Sequence, residues 1–203
     1  MNESLIDLNN PVCSPWNIRE LKEAGLWESR QYISSPGLLP FVKELGDKIK
    51  GVEIGVASGW NMNYYLDALP GLNIIGIDPY LPFTDWNGEL HTEELLNAQY
   101  EAALDNISSF EGRGNIIKAR SDQLSDSFDE GQLDYIFIDG DHSYEAVLND
   151  CNLYYSKVRS GGIFAGHDCE LPAVKQALLD FRSGLSLPNI RFAKDYVWFW
   201  IKE

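Results

Sequence analysis

The stretch LDYIFIDGDHSYE occupies residues 133–145 and joins an apolar strand to a polar turn and the start of a helix. Residues 133–138 have the length and composition of a buried strand. Asp139, Asp141 and His142 follow within four residues. Charged groups at the end of a buried strand are costly to desolvate unless a partner binds them. The stretch therefore predicts a βαβ unit whose strand end carries a binding site.

Similar short apolar runs, each ended by Gly or Asp, alternate with longer amphipathic segments along the chain, which is typical of parallel βαβ units. The predicted strands are 51–56, 73–78, 115–120, 134–139 and 162–167, and the predicted helices are 61–69, 92–110, 143–158 and 171–183. Residues 190–203 contain two β-rich runs without a helix-length spacer, which predicts an antiparallel hairpin at the sheet edge. The expected fold is a doubly wound α/β sheet with a C-terminal hairpin.

We expect one domain over residues 1–203, because this length suffices for one full hydrophobic core. Residues 1–45 are Pro-rich with a short amphipathic stretch, and they predict a helical cap on the 46–203 core. The loop PYLPFTDWNGELHT, residues 79–92, is inserted after the second strand. Long loops in compact domains are often functional.

The composition excludes several classes of function. Asp and Glu number 31 against 16 Lys and Arg, giving a formal net charge of −15, which would repel nucleic acid and anionic membranes. No apolar run has the length of a membrane helix and no secretory signal is present, so a cytoplasmic protein is expected. Cys13, Cys151 and Cys169 form no close pair and are expected to be buried free thiols.

The turn after the first strand reads E-x-G-x-x-x-G, formed by Glu53, Gly55 and Gly59, with Ser58 beside the last glycine. In an open parallel sheet this turn lies where ligands bind, and its glycines let a ligand approach the backbone. The spacing differs from the G-x-G-x-x-G of dinucleotide sites. A strand-to-helix turn also needs glycine for steric reasons, so the turn alone leaves both interpretations open.

Acidic and hydroxyl side chains follow the next two strands. Asp78 ends the second strand, where a carboxylate can accept hydrogen bonds from both ribose hydroxyls; the alternative is a helix-capping or turn Asp before Pro79. Ser121 and Asp122 follow the third strand and could bind an adenine amino group or a ribose hydroxyl; a helix N-cap is equally consistent.

These motifs, with FIDGDHSYE followed by GGIFAGHDC, resemble class I S-adenosylmethionine-dependent methyltransferases over residues 41–203. Within that class the chain is similar to the small bacterial enzymes related to metal-dependent sugar and antibiotic O-methyltransferases, such as macrocin O-methyltransferase. The resemblance implies a Rossmann-like, mainly parallel seven-stranded sheet. It also implies that Glu53 orients the turn or binds the methionine amino group through water, that Gly55 and Gly59 bound the methionine part, and that Asp78 holds the ribose.

The ends of the fourth and fifth strands carry Asp139 and the pair His167 and Asp168, which adjacent strands would bring together. Such a cluster favours a bound cation, and its oxygen ligands suit Mg²⁺, Mn²⁺ or Ca²⁺. Its one imidazole is also compatible with manganese or another transition ion. In the resembling enzymes an acid on strand four and an acidic pair on strand five hold the metal, which lowers the pKa of the acceptor hydroxyl. This chain has His167 where those enzymes usually have a second acid.

Asp141 and His142 are the candidate general bases for removing the acceptor proton. The alternative is structural, because Ser143 or Asp141 could cap the following helix. In the inserted loop, His91 is expected to be a solvated surface residue, whereas Tyr80, Phe83 and Trp86 could line an acceptor pocket or pack against the cap. The YVWFW run, residues 196–200, is expected in the sheet core or at a dimer face.

The expected function is S-adenosylmethionine-dependent O-methylation of a small hydroxylated molecule such as a sugar or natural product, by a chain that could form a homodimer. Two alternatives remain at this stage. One is a metal-dependent hydrolase that uses the same acidic cluster, and the other is a non-catalytic cofactor-binding protein on the same scaffold.

Overall fold

The computed structural model describes residues 35–85, 88–110 and 112–203. Its strands are β1 (Ile49–Ile54), β2 (Leu72–Ile77), β3 (Phe83–Thr84), β4 (Leu90–His91), β5 (Gly114–Ile117), β6 (Leu133–Ile138), β7 (Val158–Gly166), β8 (Arg191–Phe192) and β9 (Trp198–Ile201). Its α-helices are α1 (Leu39–Lys43), α2 (Trp60–Ala68), α3 (Glu93–Ile107), α4 (Ser121–Leu124), α5 (Tyr144–Tyr154) and α6 (Pro172–Leu185). Most of the predicted N-terminal cap lies outside the described residues.

Seven strands form the main sheet in the order β5-β2-β1-β6-β7-β9-β8. The first five pair in parallel, and β9 pairs antiparallel with β7 and with β8. The predicted mainly parallel sheet and C-terminal hairpin are therefore confirmed. The chain runs outward from β1 to β2 and β5 and then returns to β6 on the other side of β1, so the strand order reverses between β1 and β6.

Helices cover both faces of the sheet because the central strands are apolar on both sides. Tyr135 and Phe137 of β6 join one buried cluster, with α2 and α3, while Ile136 and Ile138 join the other, with α5 and α6. Trp198 and Trp200 are almost fully buried, which places part of the YVWFW run in the sheet core as expected. Of the cysteines, Cys151 is buried, Cys169 is partly exposed, and Cys13 lies outside the described residues.

Within the described residues no helix is both long and apolar enough to cross a bilayer. The inserted loop contains a feature that the sequence did not predict, a small antiparallel hairpin of β3 and β4 in which Phe83 pairs with His91. Two-residue strands are too short to show an alternating pattern, so this hairpin left no periodic signal in the sequence.

Candidate active site

The register of the sheet lines up four sequence-predicted positions. Ile54 pairs with both Ile77 and Ile138, and Ile138 pairs with Gly166. The next residue of each strand continues the ladder; these residues are Gly55, Asp78, Asp139 and His167, and each backbone N–H donates to the last residue of a neighbouring strand. They form one row at the carboxyl edge, across the point of strand reversal where ligands bind in open α/β sheets.

The turn after β1 depends on Gly55, whose φ of +84° is accessible to glycine at little cost. A Cβ at this position would collide with the backbone carbonyl of Asp139. Gly59 also has a positive φ, +71°, and lies directly before α2. The glycine turn is therefore packed onto the end of β6, and the two predicted parts of the site are in contact.

Asp78 holds this turn through its carboxylate. Oδ2 accepts hydrogen bonds from the backbone N–H groups of Val56 and Ala57 at 2.9 and 3.1 Å, and Oδ1 accepts one from Tyr80 at 2.9 Å. Burial raises the pKa of Asp78, and these hydrogen bonds act in the opposite direction. Asp78 thus links the ends of β1 and β2 where the resemblance places a ribose.

Glu53 is buried beneath the turn and contacts α2. Its Oε2 accepts a hydrogen bond from Asn61 Nδ2 at 2.8 Å, and the amide oxygen of Asn61 accepts one from Ser35 at 2.9 Å. Burial raises the pKa of Glu53 to about 8, although the Asn61 hydrogen bond lowers it. Glu53 is therefore joined to the first turn of α2, and the two roles that the resemblance implies for it stay predictions.

Asp139, His142, His167 and Asp168 come together at the ends of β6 and β7. His142 Nε2 lies 2.9 Å from Asp168 Oδ2 and 3.7 Å from Asp139 Oδ1. His167 Nδ1 lies 3.1 Å from Asp168 Oδ1 and 3.7 Å from Asp139 Oδ1. The sequence predicted that Asp139, His167 and Asp168 would meet, and the structure adds His142 to them.

The two imidazoles and the two carboxylates shift one another's pKa values. Burial alone would lower the pKa of both histidines, but the nearby carboxylates outweigh it and raise the pKa of His142 to about 10 and that of His167 to about 9. Burial would raise the pKa of Asp168, yet the two imidazoles hold it well below its usual range. The cluster is therefore strongly coupled electrostatically.

A family model described as "Methyltransferase domain" matches residues 52–169, which is more than half of the chain. The matched range includes every residue of the candidate site described so far in this subsection except Ser35. The chain belongs to this methyltransferase family. The row of residues at the strand ends and the acid–histidine cluster thus lie at the carboxyl edge of a methyltransferase domain.

An uncharacterized protein from Acanthamoeba polyphaga mimivirus is 29% identical to this methyltransferase over 158 residues. The match covers 70% of this chain and 65% of the viral protein, so the chain spans less than two thirds of that relative.

The solved structures that are similar in fold include two O-methyltransferases. A TDP-rhamnose 3′-O-methyltransferase of calicheamicin biosynthesis has a TM-score of 0.59 at 18% identity, with 97% of this chain and 92% of that chain covered. An O-methyltransferase from Bacillus cereus, solved in complex with SAH, has a TM-score of 0.57 at 14% identity, with 100% and 92% covered. The family match and the shared fold agree with the expected class I S-adenosylmethionine-dependent methyltransferase.

Ser58, Ser121 and Asp122 were also predicted to bind the cofactor of this methyltransferase. Ser58 is buried, and its carbonyl accepts a hydrogen bond from Asn106 of α3 at 2.7 Å. Neither Ser121 nor Asp122 is the N-cap of α4, because that position belongs to Arg120, with which the exposed Asp122 pairs. Their role toward the cofactor stays a prediction.

Sequence reasoning missed Asp150 of α5, which accepts a hydrogen bond from Ser121 Oγ at 2.6 Å. Burial raises the pKa of Asp150 to about 6. A signal was present in the sequence, since Asp150 lies in the helical stripe of Val147, Cys151 and Tyr154, which is buried along α5. An acid in such a stripe needs a polar partner.

Asp141 and His142, the candidate bases, have different environments. Asp141 is exposed, and its Oδ1 accepts a hydrogen bond from the Ser143 N–H at 2.8 Å. Ser143 is the N-cap of α5 and accepts from Ala146 N at 3.3 Å, so it takes the capping role that was left open between Ser143 and Asp141. His142 instead folds back into the acid cluster.

The prediction for His91 was wrong. His91 is only 5% exposed, its ring stacks on Phe83 with centroids 4.4 Å apart, and its Nε2 lies 3.5 Å from Asp85 Oδ2. Burial follows from the pairing of β3 and β4, which brings Phe83 opposite His91.

The other aromatic residues near the site have distinct positions. Tyr80 is buried and donates its hydroxyl to the Ala57 carbonyl at 2.8 Å, so it closes over the glycine turn. Trp198 donates Nε1 to the His167 carbonyl at 2.9 Å and thereby fixes the backbone of the cluster. Trp86 lies outside the described residues.

Proposed function

We propose that this methyltransferase transfers the methyl group of S-adenosylmethionine to a hydroxyl oxygen of a small acceptor such as a sugar or a natural product. The observation that carries the proposal is the contact between Gly55 and Asp139, which joins the cofactor turn to the acid–histidine cluster at the strand reversal. The O-methyltransferases of similar fold, one of which acts on TDP-rhamnose, support the choice of a sugar-like hydroxyl.

On the cofactor side, the chain supplies a preformed turn rather than a flexible loop. Asp78 and Glu53 hold this turn from two sides, with three backbone N–H groups on Asp78 and the Asn61 amide on Glu53. Methyl transfer is an in-line displacement, so holding the sulfonium and the acceptor oxygen in position provides much of the rate enhancement. Preorganising the turn reduces the entropy lost when the cofactor binds.

A divalent metal fits the cluster because of one orphaned atom. His142 Nε2 is buried and has no hydrogen-bond partner of acceptable direction, although carboxylate oxygens of Asp168 and Asp139 lie 2.9 and 3.7 Å away. Among the described residues, Asp139, His142 and Asp168 offer ligand atoms that all lie within 4.8 Å of one another. When bound there, a divalent ion would lower the pKa of an acceptor hydroxyl.

A group outside this cluster is needed to accept the proton of the acceptor hydroxyl. Asp141 is exposed two residues beyond Asp139, and we assign proton acceptance to its carboxylate. His142 is the weaker candidate, because both of its carboxylate neighbours compete for its Nε2.

Calorimetry with S-adenosylhomocysteine and transfer of a radiolabelled methyl group to a panel of nucleotide sugars, phenols and amines test this proposal. We expect cofactor binding and label transfer to a hydroxylated acceptor. Absence of cofactor binding would favour a hydrolase that uses the cluster alone, whereas binding without transfer to any acceptor would favour a non-catalytic protein. Label on amines alone would contradict O-methylation.

A further inference from the structure

His142 takes a position in the acid cluster that differs from the role of a free base. It follows Asp139 by three residues, and its ring turns back so that Nε2 faces oxygens from two different strand ends. At 2.9 Å from Asp168 Oδ2, this nitrogen is close enough for a hydrogen bond but lacks the direction of one. An imidazole nitrogen, once an ion displaces its proton, and two carboxylates are the donor set of a metal site.

The distances within the cluster match those between ligands of one ion. Ligand atoms about 2.1 Å from a transition ion lie about 3.0 to 3.4 Å apart in octahedral or tetrahedral geometry. The nitrogen–oxygen separations of His142 are 2.9 and 3.7 Å, on either side of that interval. The Asp139 and Asp168 oxygens lie within 4.8 Å of each other, so the carboxylates would move toward the imidazole nitrogen to ligate one ion.

The carboxylate of Asp168 lies between the two imidazoles. Its Oδ2 faces His142, while its Oδ1 faces His167 Nδ1 at 3.1 Å. Asp168 itself has a φ of +57°, which turns its side chain back toward the cluster after β7. His167 thus contacts the far oxygen of a ligand and orients it, as outer-shell partners of metal ligands do.

We infer that Asp139, His142 and Asp168 ligate a divalent first-row transition ion in preference to Mg²⁺ or Ca²⁺, with His167 as a positioning residue. The inference rests on the proposed function only for what the ion does, which is to lower the pKa of the acceptor hydroxyl; the binding of the ion does not depend on that function. Imidazole favours transition ions, whereas Mg²⁺ and Ca²⁺ are held by oxygen ligands. Two carboxylates also balance the charge of a divalent ion. In this inference His142 is a metal ligand. His167, which the sequence assigned to the metal, instead orients the ligand Asp168.

Metal binding to the chelator-treated full chain provides the test, without any need for turnover. Mn²⁺ is added as a probe, and pulsed electron paramagnetic resonance detects nitrogen bound directly to the ion. The Co²⁺ absorption spectrum gives the affinity, and Mg²⁺ is added as competitor. The variants are His142→Gln and His167→Gln. His91→Gln is the matched control, since His91 is the one histidine of the chain that lies outside the cluster, in the inserted hairpin.

We expect a nitrogen signal in the wild-type chain and in His91→Gln, and its loss in His142→Gln. His167→Gln should retain the signal and bind Co²⁺ about 10- to 100-fold more weakly, as outer-shell changes do. In His142→Glu an oxygen replaces the nitrogen, so the preference for Co²⁺ over Mg²⁺ should fall at least about tenfold.

Three results would overturn the inference: no binding of Mn²⁺ or Co²⁺, equal affinity for Mg²⁺ and Co²⁺, or a nitrogen signal that survives His142→Gln. Circular dichroism of each variant confirms that it is folded. Calorimetry with S-adenosylhomocysteine on the same samples separates this inference from the proposed function. Cofactor binding without a metal signal would reject the ion alone, and a metal signal without cofactor binding would reject the methyltransferase proposal alone.

Discussion

The backbone carbonyl of Asp139 fills the space that a Cβ atom on Gly55 would occupy. The Asp139 N–H also donates to the carbonyl of Ile54, directly before Gly55, at 2.7 Å. The turn after β1 and the end of β6 are therefore one packed unit. A side chain at Gly55 would have to separate the glycine turn after β1 from the acid–histidine cluster.

Gly55→Ala should lower the free energy of unfolding by at least about 2 kcal/mol, since it adds a backbone collision to the cost of a positive φ. Gly112→Ala is the matched control, because Gly112 has a similar φ of +78° with open space around it, and it should lose about 1 kcal/mol. Urea unfolding of both variants gives the comparison. Equal losses would show that the collision is relieved without strain.

Asp78→Asn should weaken binding of S-adenosylhomocysteine at least about tenfold, as expected when a charge-assisted hydrogen bond is lost. Asn offers one acceptor oxygen, whereas both oxygens of Asp78 accept backbone N–H groups. Calorimetry provides the measurement, and Asp129→Asn, an exposed acid outside the site, is the control. Unchanged affinity would mean that Asp78 is only a turn residue.

Glu53 should make the free protein less stable as the pH rises. Burial raises its folded-state pKa from 4.5 to about 8, with smaller contributions from the charges of Asp139 and Asp78. Its contribution to stability is fully present below pH 4.5, and is lost as the pH rises from there to about 8, by at most about 1.4 kcal/mol per pH unit. Unfolding free energies measured between pH 5 and 8 should therefore decline less in Glu53→Gln, which keeps an acceptor for Asn61. Parallel curves for the two proteins would contradict the pKa shift.

The juxtaposition of Asp139 and Asp168 could be predicted from the sequence because parallel strands end at one edge. Asp139 follows an apolar run directly, and Asp168 follows one with only His167 between them. The position of His142 could not be predicted in this way. It depends on the loop after β6 folding back toward Asp168, a contact 26 residues distant along the chain. His91 was misjudged for a similar reason, since its burial depends on a two-residue strand pairing rather than on any periodic pattern.

Asp139→Asn should remove any metal-dependent turnover and leave the affinity for S-adenosylhomocysteine within about twofold. The variant takes away a charge that faces both His142 and His167, and the glycine turn after β1 contacts the backbone of Asp139 rather than its side chain. Initial rates with and without a chelator, together with calorimetry, separate the two effects. Wild-type activity that a chelator does not alter would exclude a metal role in the reaction.

Asp141→Asn should lower kcat by about 10²- to 10⁴-fold, the usual contribution of general base catalysis, without weakening cofactor binding. The substitution is discriminating because the Asn oxygen can still accept the Ser143 N–H, so the start of α5 is retained. Ser143→Ala is the complementary control, because it removes the cap from Ala146 and should cost about 1 kcal/mol of stability with little effect on kcat. If Asp141→Asn kept full activity, Asp141 would be a turn residue and the proton would leave by another route. Because the two variants separate the chemistry of Asp141 from the capping of α5, they decide between the two interpretations that the sequence left open.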